Sequence, residues 1–131
     1  MNALHAVLCG VLLLLSGCVA TPERISARDA ALAGDWVFEV PTGSAVVQGA
    51  MTLASEGGAY TGMLTTDQGA VVMQVRTVTL RDDALRLEVE SPNGDVVFVG
   101  TMDAAQQRFE GEVTYHNGQR FPMRGWRRGL R

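Results

Sequence analysis

Two stretches of the chain alternate apolar and polar residues with a period of two. Arg86, Glu88 and Glu90 interleave with Leu85, Leu87 and Val89, and Arg108, Glu110 and Glu112 interleave with Phe109, Gly111 and Val113. Such alternation predicts strands with one dry and one wet face. Less regular runs of the same kind cover Trp36–Val40, Ala45–Leu53, Tyr60–Thr65, Val71–Thr79, Val96–Met102 and Phe121–Arg127. Turn-forming residues punctuate them: Pro41-Thr42-Gly43, Glu56-Gly57-Gly58, Asp67-Gln68-Gly69, Asp82-Asp83, Pro92-Asn93-Gly94 and Asn117-Gly118. Asn-Gly supplies the positive backbone angles of a tight hairpin, so the last two are the firmest hairpin expectations.

About eight strands follow, each joined to the next by a connection too short for a crossover helix. The expected fold is therefore all-β and antiparallel, mainly a meander. An open sheet of that size leaves two edges and an apolar face uncovered, whereas an up-and-down barrel of about eight short strands covers both; a sandwich is the alternative. Glycines inside strands, at Gly49, Gly62, Gly100, Gly111 and Gly125, suit the sharp bends of a small barrel. The expected interior is Val47, Met51, Leu53, Leu64, Met73, Val75, Leu85, Leu87, Val89, Phe109, Val113 and Phe121. An eight-stranded interior is just wide enough to be filled by side chains or to hold one small ligand. Large aliphatic side chains and adaptable methionines favour filling.

Ahead of the strands the pattern differs. Ala3 to Leu15 is almost uniformly apolar, too short to span a bilayer but suited to a signal-peptide core. Leu15-Ser16-Gly17-Cys18 follows it. This tetrapeptide resembles the lipobox of bacterial lipoproteins: an aliphatic residue, two small ones, then cysteine. The resemblance implies cleavage before Cys18, a diacylglycerol thioether on its thiol and acylation (palmitate-type) of the new amino group. Met1 to Ala6 carries no Lys or Arg, so the positive end of the leader rests on the amino terminus and His5. Val19, rather than Asp, at the next position implies the outer membrane, periplasmic face, by the sorting rule of enterobacterial lipoproteins. Two or three acyl chains anchor stably where one does not. The expected organisation is a signal peptide over 1–17, a lipidated tether with a short helix over 18–33, and a β-barrel domain over 34–131. Ser26 is placed to cap that helix, Ala27 to Ala33, and Gly34 to end it.

Composition narrows the chemistry. The 131 residues are 47% hydrophobic and 19% charged, the profile of one ordinary globular domain. A net charge of −3 gives no reason to expect nucleic acid as a partner. Both cysteines, Cys9 and Cys18, precede the domain, so neither a disulfide nor a Cys/His metal site is expected within it. No metal or other cofactor is called for. His116 is the one histidine after the leader, in a hairpin turn, with no cysteine to pair with. Asp82 and Asp83 fall at a turn, and Glu88, Glu90, Glu110 and Glu112 on outward faces. These residues assemble no nucleophile–base pair, and no catalytic residue is expected.

Two further features bear on function. Gly34-Asp35-Trp36 opens the first strand after the short helix, and Arg124, Arg127 and Arg128 lie in or just after the last one. This resembles the calycin group, the lipocalins and their avidin and fatty-acid-binding relatives. The resemblance implies that Trp36 lies across the barrel floor under a late arginine, Arg124 or Arg127, in a cation–π contact. The C-terminal arginines also gather around Trp126, making Trp126 and Arg128 a candidate surface contact for lipid phosphate or an acidic partner, against the plainer reading of a solvated strand. The expected function is that of a lipid-anchored, non-catalytic module binding a small apolar ligand in its barrel; the alternative is a structural or protein-interaction lipoprotein with a solid core, protease inhibition included.

Overall fold

A computed structural model describes residues 32–130. Eight strands follow one another: β1 (Gly34–Pro41), β2 (Val46–Glu56), β3 (Ala59–Thr66), β4 (Gly69–Arg81), β5 (Ala84–Ser91), β6 (Gly94–Met102), β7 (Arg108–Thr114) and β8 (Arg120–Arg127). Each pairs antiparallel with its neighbours, and β8 returns to β1, closing the barrel in sequence order. Closure pairs all eight strands, so the up-and-down barrel is the fold and the sandwich is not. Of the expected helix, only Leu32 and Ala33 lie within the described residues, Leu32 in a turn; Cys18 and the leader lie outside them.

The core follows the alternation. Trp36, Phe38 and Val40 of β1 point inward, as do Met51 and Leu53 of β2, Leu85, Leu87 and Val89 of β5, and Phe109 and Val113 of β7. Every buried residue among those described is apolar. Val47, Met73 and Phe121 are only half-buried, packed on the core near one end. Leu32, Tyr60, Leu64, Val75, Val78, Phe98, Met102 and Met123 complete the interior.

Strand β4 breaks period two. Its register slips between Val75 and Thr77, leaving Arg76 without a cross-strand partner. This β-bulge brings both Val75 and Val78 inside although they are three residues apart. Arg76 projects outward to Glu90 at 2.9 Å and Asp95 at 3.4 Å, and these carboxylates raise its already high pKa.

Both Asn-Gly segments sit at hairpins, but not in the expected geometry. Ser91 pairs with Gly94, so the two turn residues are Pro92 and Asn93, and Gly94, at φ 131°, begins β6. Asn117 and Gly118 lie in a five-residue connection between the paired Thr114 and Arg120, where Gly118 alone takes a positive φ, 85°. The pair with two positive central angles is Gly57-Gly58, at 59° and 83°. Proline at position 92 is the physical reason for the first shift, because it presets the negative φ of a turn's first central residue.

Alternating strand directions define two ends. Gly34, the β2–β3, β4–β5 and β6–β7 connections and the end of β8 share one, here the floor. The other four connections ring the mouth. The chain comes into the barrel at the floor.

Candidate functional site

At the floor, Trp36 is almost wholly buried, with 1% of its surface exposed. Its indole Nε1 donates to the carbonyl of Leu32 at 2.9 Å, and the Arg127 guanidinium covers its ring, 4.4 Å from the centroid. Arg127 Nη1 donates to the carbonyl of Ala33 at 2.8 Å, and its Nε to that of Gln106 at 3.3 Å. The Leu32 amide reaches the Tyr60 hydroxyl at 3.4 Å. Leu32 itself is a buried plug. One cation thus satisfies two carbonyls and lies on the aromatic face, while the indole holds a third. The floor is closed, and Leu32 and Ala33 are gripped on both sides. Gly34 makes room for this, since a Cβ there would meet Arg127 Nη1 at 2.9 Å and its φ is +125°.

Gln106 delivers its carbonyl from a left-handed backbone, φ 54°. The loop that holds it there is nucleated by Asp103, whose Oδ1 accepts from the amides of Gln107 at 2.7 Å and Arg108 at 3.0 Å. The floor is therefore assembled from Leu32 and Ala33 ahead of β1, from β1 and β3, from the β6–β7 loop and from β8.

Of the two arginines expected over the indole, the structure has Arg127 there. Arg124 faces the opposite side of β8 and grips Glu39 Oε2 through Nε at 3.0 Å and Nη2 at 2.8 Å. The reason is parity: Met123 and Gly125 point inward, so Arg127 shares their face while Arg124 and Trp126 project outward. Trp126 is half-buried on the outer wall, between Val37 of β1 and Arg108 of β7. Arg128 follows the strand and is exposed, and its backbone amide donates to the Asp35 carbonyl at 3.0 Å. Trp126 and Arg128 do not converge with Trp36 and Arg127 on one site.

At the mouth, a cavity of about 70 Å³ opens among Phe38, Leu64, Met73, Phe98, Val113 and Tyr115. Its lining is apolar apart from Thr66 and the Tyr115 hydroxyl. Burial pushes the Tyr115 phenol above its usual pKa, and its ring stacks edge-on against Phe121 at 5.5 Å. Ligand pockets run to roughly 300–1,000 Å³, and even a benzene-binding cavity needs about 150 Å³. The space at this mouth is smaller than either.

Larger concavities lie outside the barrel. One of about 560 Å³ crosses β6–β8 beside Pro41, Gly111, Pro122 and Arg124. A second, about 410 Å³, adjoins it near Arg108, Asp103 and Trp126. Both are open to solvent. Asp82, Asp83 and Asp103 border a further depression at the floor, but no group of three or more His, Cys, Asp or Glu among the described residues is arranged to hold a metal. His116 is exposed at the mouth.

Sequence reasoning placed Trp36 at the floor with either Arg124 or Arg127 beside it, and missed what they hold. The partners are mostly backbone carbonyls, at Leu32, Ala33 and Gln106, and a carbonyl leaves no trace in side-chain pattern. Tyr60 had a signal in its place at the start of β3, two residues after a glycine turn at the floor end.

No family model matches the chain, and no curated protein matches it. Solved structures do. A redesigned β-barrel superposes with a TM-score of 0.59 at 18% identity, covering 76% of this chain and 94% of its own. A de novo designed, fluorescence-activating β-barrel gives 0.53 at 17% identity, covering 76% and 98%. At these identities the likeness is one of fold.

Proposed function

We propose that this chain is an envelope lipoprotein, anchored through acyl chains on Cys18 in the outer membrane, whose barrel is non-catalytic and works by contact with another envelope protein. The observation that carries this reading is the interior: side chains fill it down to a space of about 70 Å³, leaving the outer surface as the part able to engage anything sizeable. Blocking a protease belongs to the same class of activity. The tether supports the arrangement. Thirteen residues, Val19 to Ala31, separate Cys18 from Leu32, and extended they reach at most roughly 45 Å. Leu32 enters at the floor, so the tether reaches the barrel from that end.

One observation favours a second reading, a small apolar ligand. The mouth space is lined by Val, Leu, Met and Phe side chains, and the calycin-like Trp36–Arg127 floor suits a cup closed at one end. Such a ligand would have only a few heavy atoms.

Expression of the full chain in a Gram-negative host separates the readings. On the proposal, the wild type fractionates with the outer membrane at a mass of the cut chain plus acyl groups, and Cys18→Ser leaves it unacylated and soluble. Crosslinking in intact cells then yields a protein adduct, and the detergent-solubilised protein weighed under native conditions shows no further mass. A reproducible added mass that vanishes on denaturation would replace the proposal by the ligand reading. Unmodified Cys18 would remove the anchor from both.

A further inference from the structure

The mouth carries one dipeptide twice, and the barrel holds the two copies differently. Asn93 and Asn117 are the asparagines that follow the leader, and each is followed by glycine. Both are exposed, Asn93 in the β5–β6 turn and Asn117 in the β7–β8 connection. In an Asn-Gly pair the main chain can attack the asparagine side chain, because glycine has no Cβ to shield its nitrogen or restrict its backbone.

Hydrogen bonds separate the two. Asn117 is held at both ends of its amide: Nδ2 donates to Gln119 Oε1 at 3.0 Å, and Oδ1 accepts from the Gln119 backbone amide at 3.0 Å, closing an Asx turn. The nitrogen that would attack it is engaged as well, since the Gly118 amide donates to the Tyr115 carbonyl at 2.8 Å. Asn93 is placed otherwise. Its backbone amide donates to Ser91 Oγ at 3.4 Å, and that hydroxyl donates to the Gly94 carbonyl at 2.6 Å, so Ser91 serves the main chain of the turn. Among the described residues the Asn93 side chain has no hydrogen-bond partner.

We propose that Asn93 is a site of spontaneous modification, converted by water to aspartate and isoaspartate, while Asn117 keeps its amide. The Gly94 nitrogen attacks Asn93 Cγ. The Cγ–Nδ2 bond breaks, and ammonia leaves with the proton of the Gly94 amide. The product is a cyclic imide, which water opens at either of its carbonyls. Opening at Cγ gives aspartate on an unchanged main chain. Opening at the main-chain carbonyl breaks its bond to the Gly94 nitrogen and leaves the chain running through Cγ, as isoaspartate. The balance is water in and ammonia out, with no oxidant or metal. Either product adds a carboxylate at the mouth, two residues from Asp95, which shares Arg76 with Glu90. Isoaspartate also lengthens the main chain within the turn between the paired Ser91 and Gly94. The protein thus ages into forms that differ at this end of the barrel.

The test incubates the full chain, produced in a Gram-negative host and purified in detergent, warm and at mildly alkaline pH in heavy-oxygen water, which labels each new carboxylate. Digestion follows in ordinary water. Trypsin, cutting after arginine, separates the sites into peptides 87–108 and 109–120. The expected result is label in 87–108 at a rate about tenfold or more above that in 109–120, because Asn117 must first loosen its bonds. Chromatography then resolves labelled 87–108 into aspartate and isoaspartate forms. In urea both peptides are expected to label at comparable rates, since both are then unheld Asn-Gly. Equal rates in the folded chain, a faster rate in 109–120, or no label where the urea sample has taken it up would overturn the proposal. So would a preference for 87–108 that persists undiminished in urea, which would assign the difference to sequence and not to the fold.

Discussion

Trp36→Ala is expected to destabilise the barrel by about 3–5 kcal/mol, the usual range for emptying a well-packed aromatic site. The floor is the reason to expect the upper part of that range. Trp36 is 1% exposed and its ring touches Phe109, centroids 5.7 Å apart. Its loss strips the Leu32 carbonyl of its donor and the Arg127 guanidinium of the surface it covers. Leu32 then keeps only its amide's bond to the Tyr60 hydroxyl. Arg127→Ala should cost about 2–3 kcal/mol, the sum of a partly desolvated cation–π contact and the carbonyls of Ala33 and Gln106 left without their donor. Arg127→Lys should recover only part of this, because an ammonium on the ring cannot also fork to two carbonyls on different segments. Urea unfolding followed by circular dichroism measures all three. A loss below about 1 kcal/mol for Trp36→Ala would mean that the floor is an ornament of the fold and not its closure. The emission of Trp126, outside the barrel, remains in that variant to report whether β8 still pairs with β1.

How much of this was legible in the sequence depended on whether one face of a strand is charged. In β5 and β7 the alternation of Arg and Glu with Leu, Val and Phe left no choice of face, and the inward residues are as read. Strand β6 offers valine on both faces, Val96 inward and Val97 and Val99 outward, so period alone could not pick out Phe98 and Met102 as interior. In β4 a strict period of two carried past Val75 points Thr77 inward; the bulge at Arg76 sends Val78 there, and Arg76 carries no local mark of a bulge. The floor was half legible. Trp36 beside Gly34 suggested a floor, but the choice between Arg124 and Arg127 required knowing that Met123 and Gly125 face inward. The cavity volume was not legible at all, since it depends on how rings from β1, β6 and β7 fall against one another.

Those rings lead to the second large expectation. Phe38 lies across from Gly49 on β2 and from Gly125 on β8, and Phe109 lies across from Gly125. In each place the missing side chain is the space the ring occupies: a Cβ at Gly49 would come within 2.1 Å of Phe38, and one at Gly125 within 2.2 Å of Phe109. Gly111 differs. It pairs with Gly100, and a Cβ there would stand 2.2 Å from the Val99 carbonyl oxygen and 2.4 Å from the Gly100 Cα, both backbone atoms. No rotamer relieves that contact; only separation of β6 from β7 does. Gly111→Ala is therefore expected to cost about 3 kcal/mol or more, at the top of the range for overpacking, and Gly125→Ala about 1–3 kcal/mol. The discriminating measurement is a double-mutant cycle with Phe109→Leu, which exchanges the ring over Gly125 for a shorter side chain. That substitution should recover a good part of the Gly125→Ala loss, because the obstacle is a side chain that has been shortened. It should recover none of the Gly111→Ala loss, because the obstacle there is the neighbouring strand itself. Rescue of both, or of neither, would mean that these glycines serve the bending of their own strands and not the close approach of rings and backbone that lets eight short strands shut into a filled barrel.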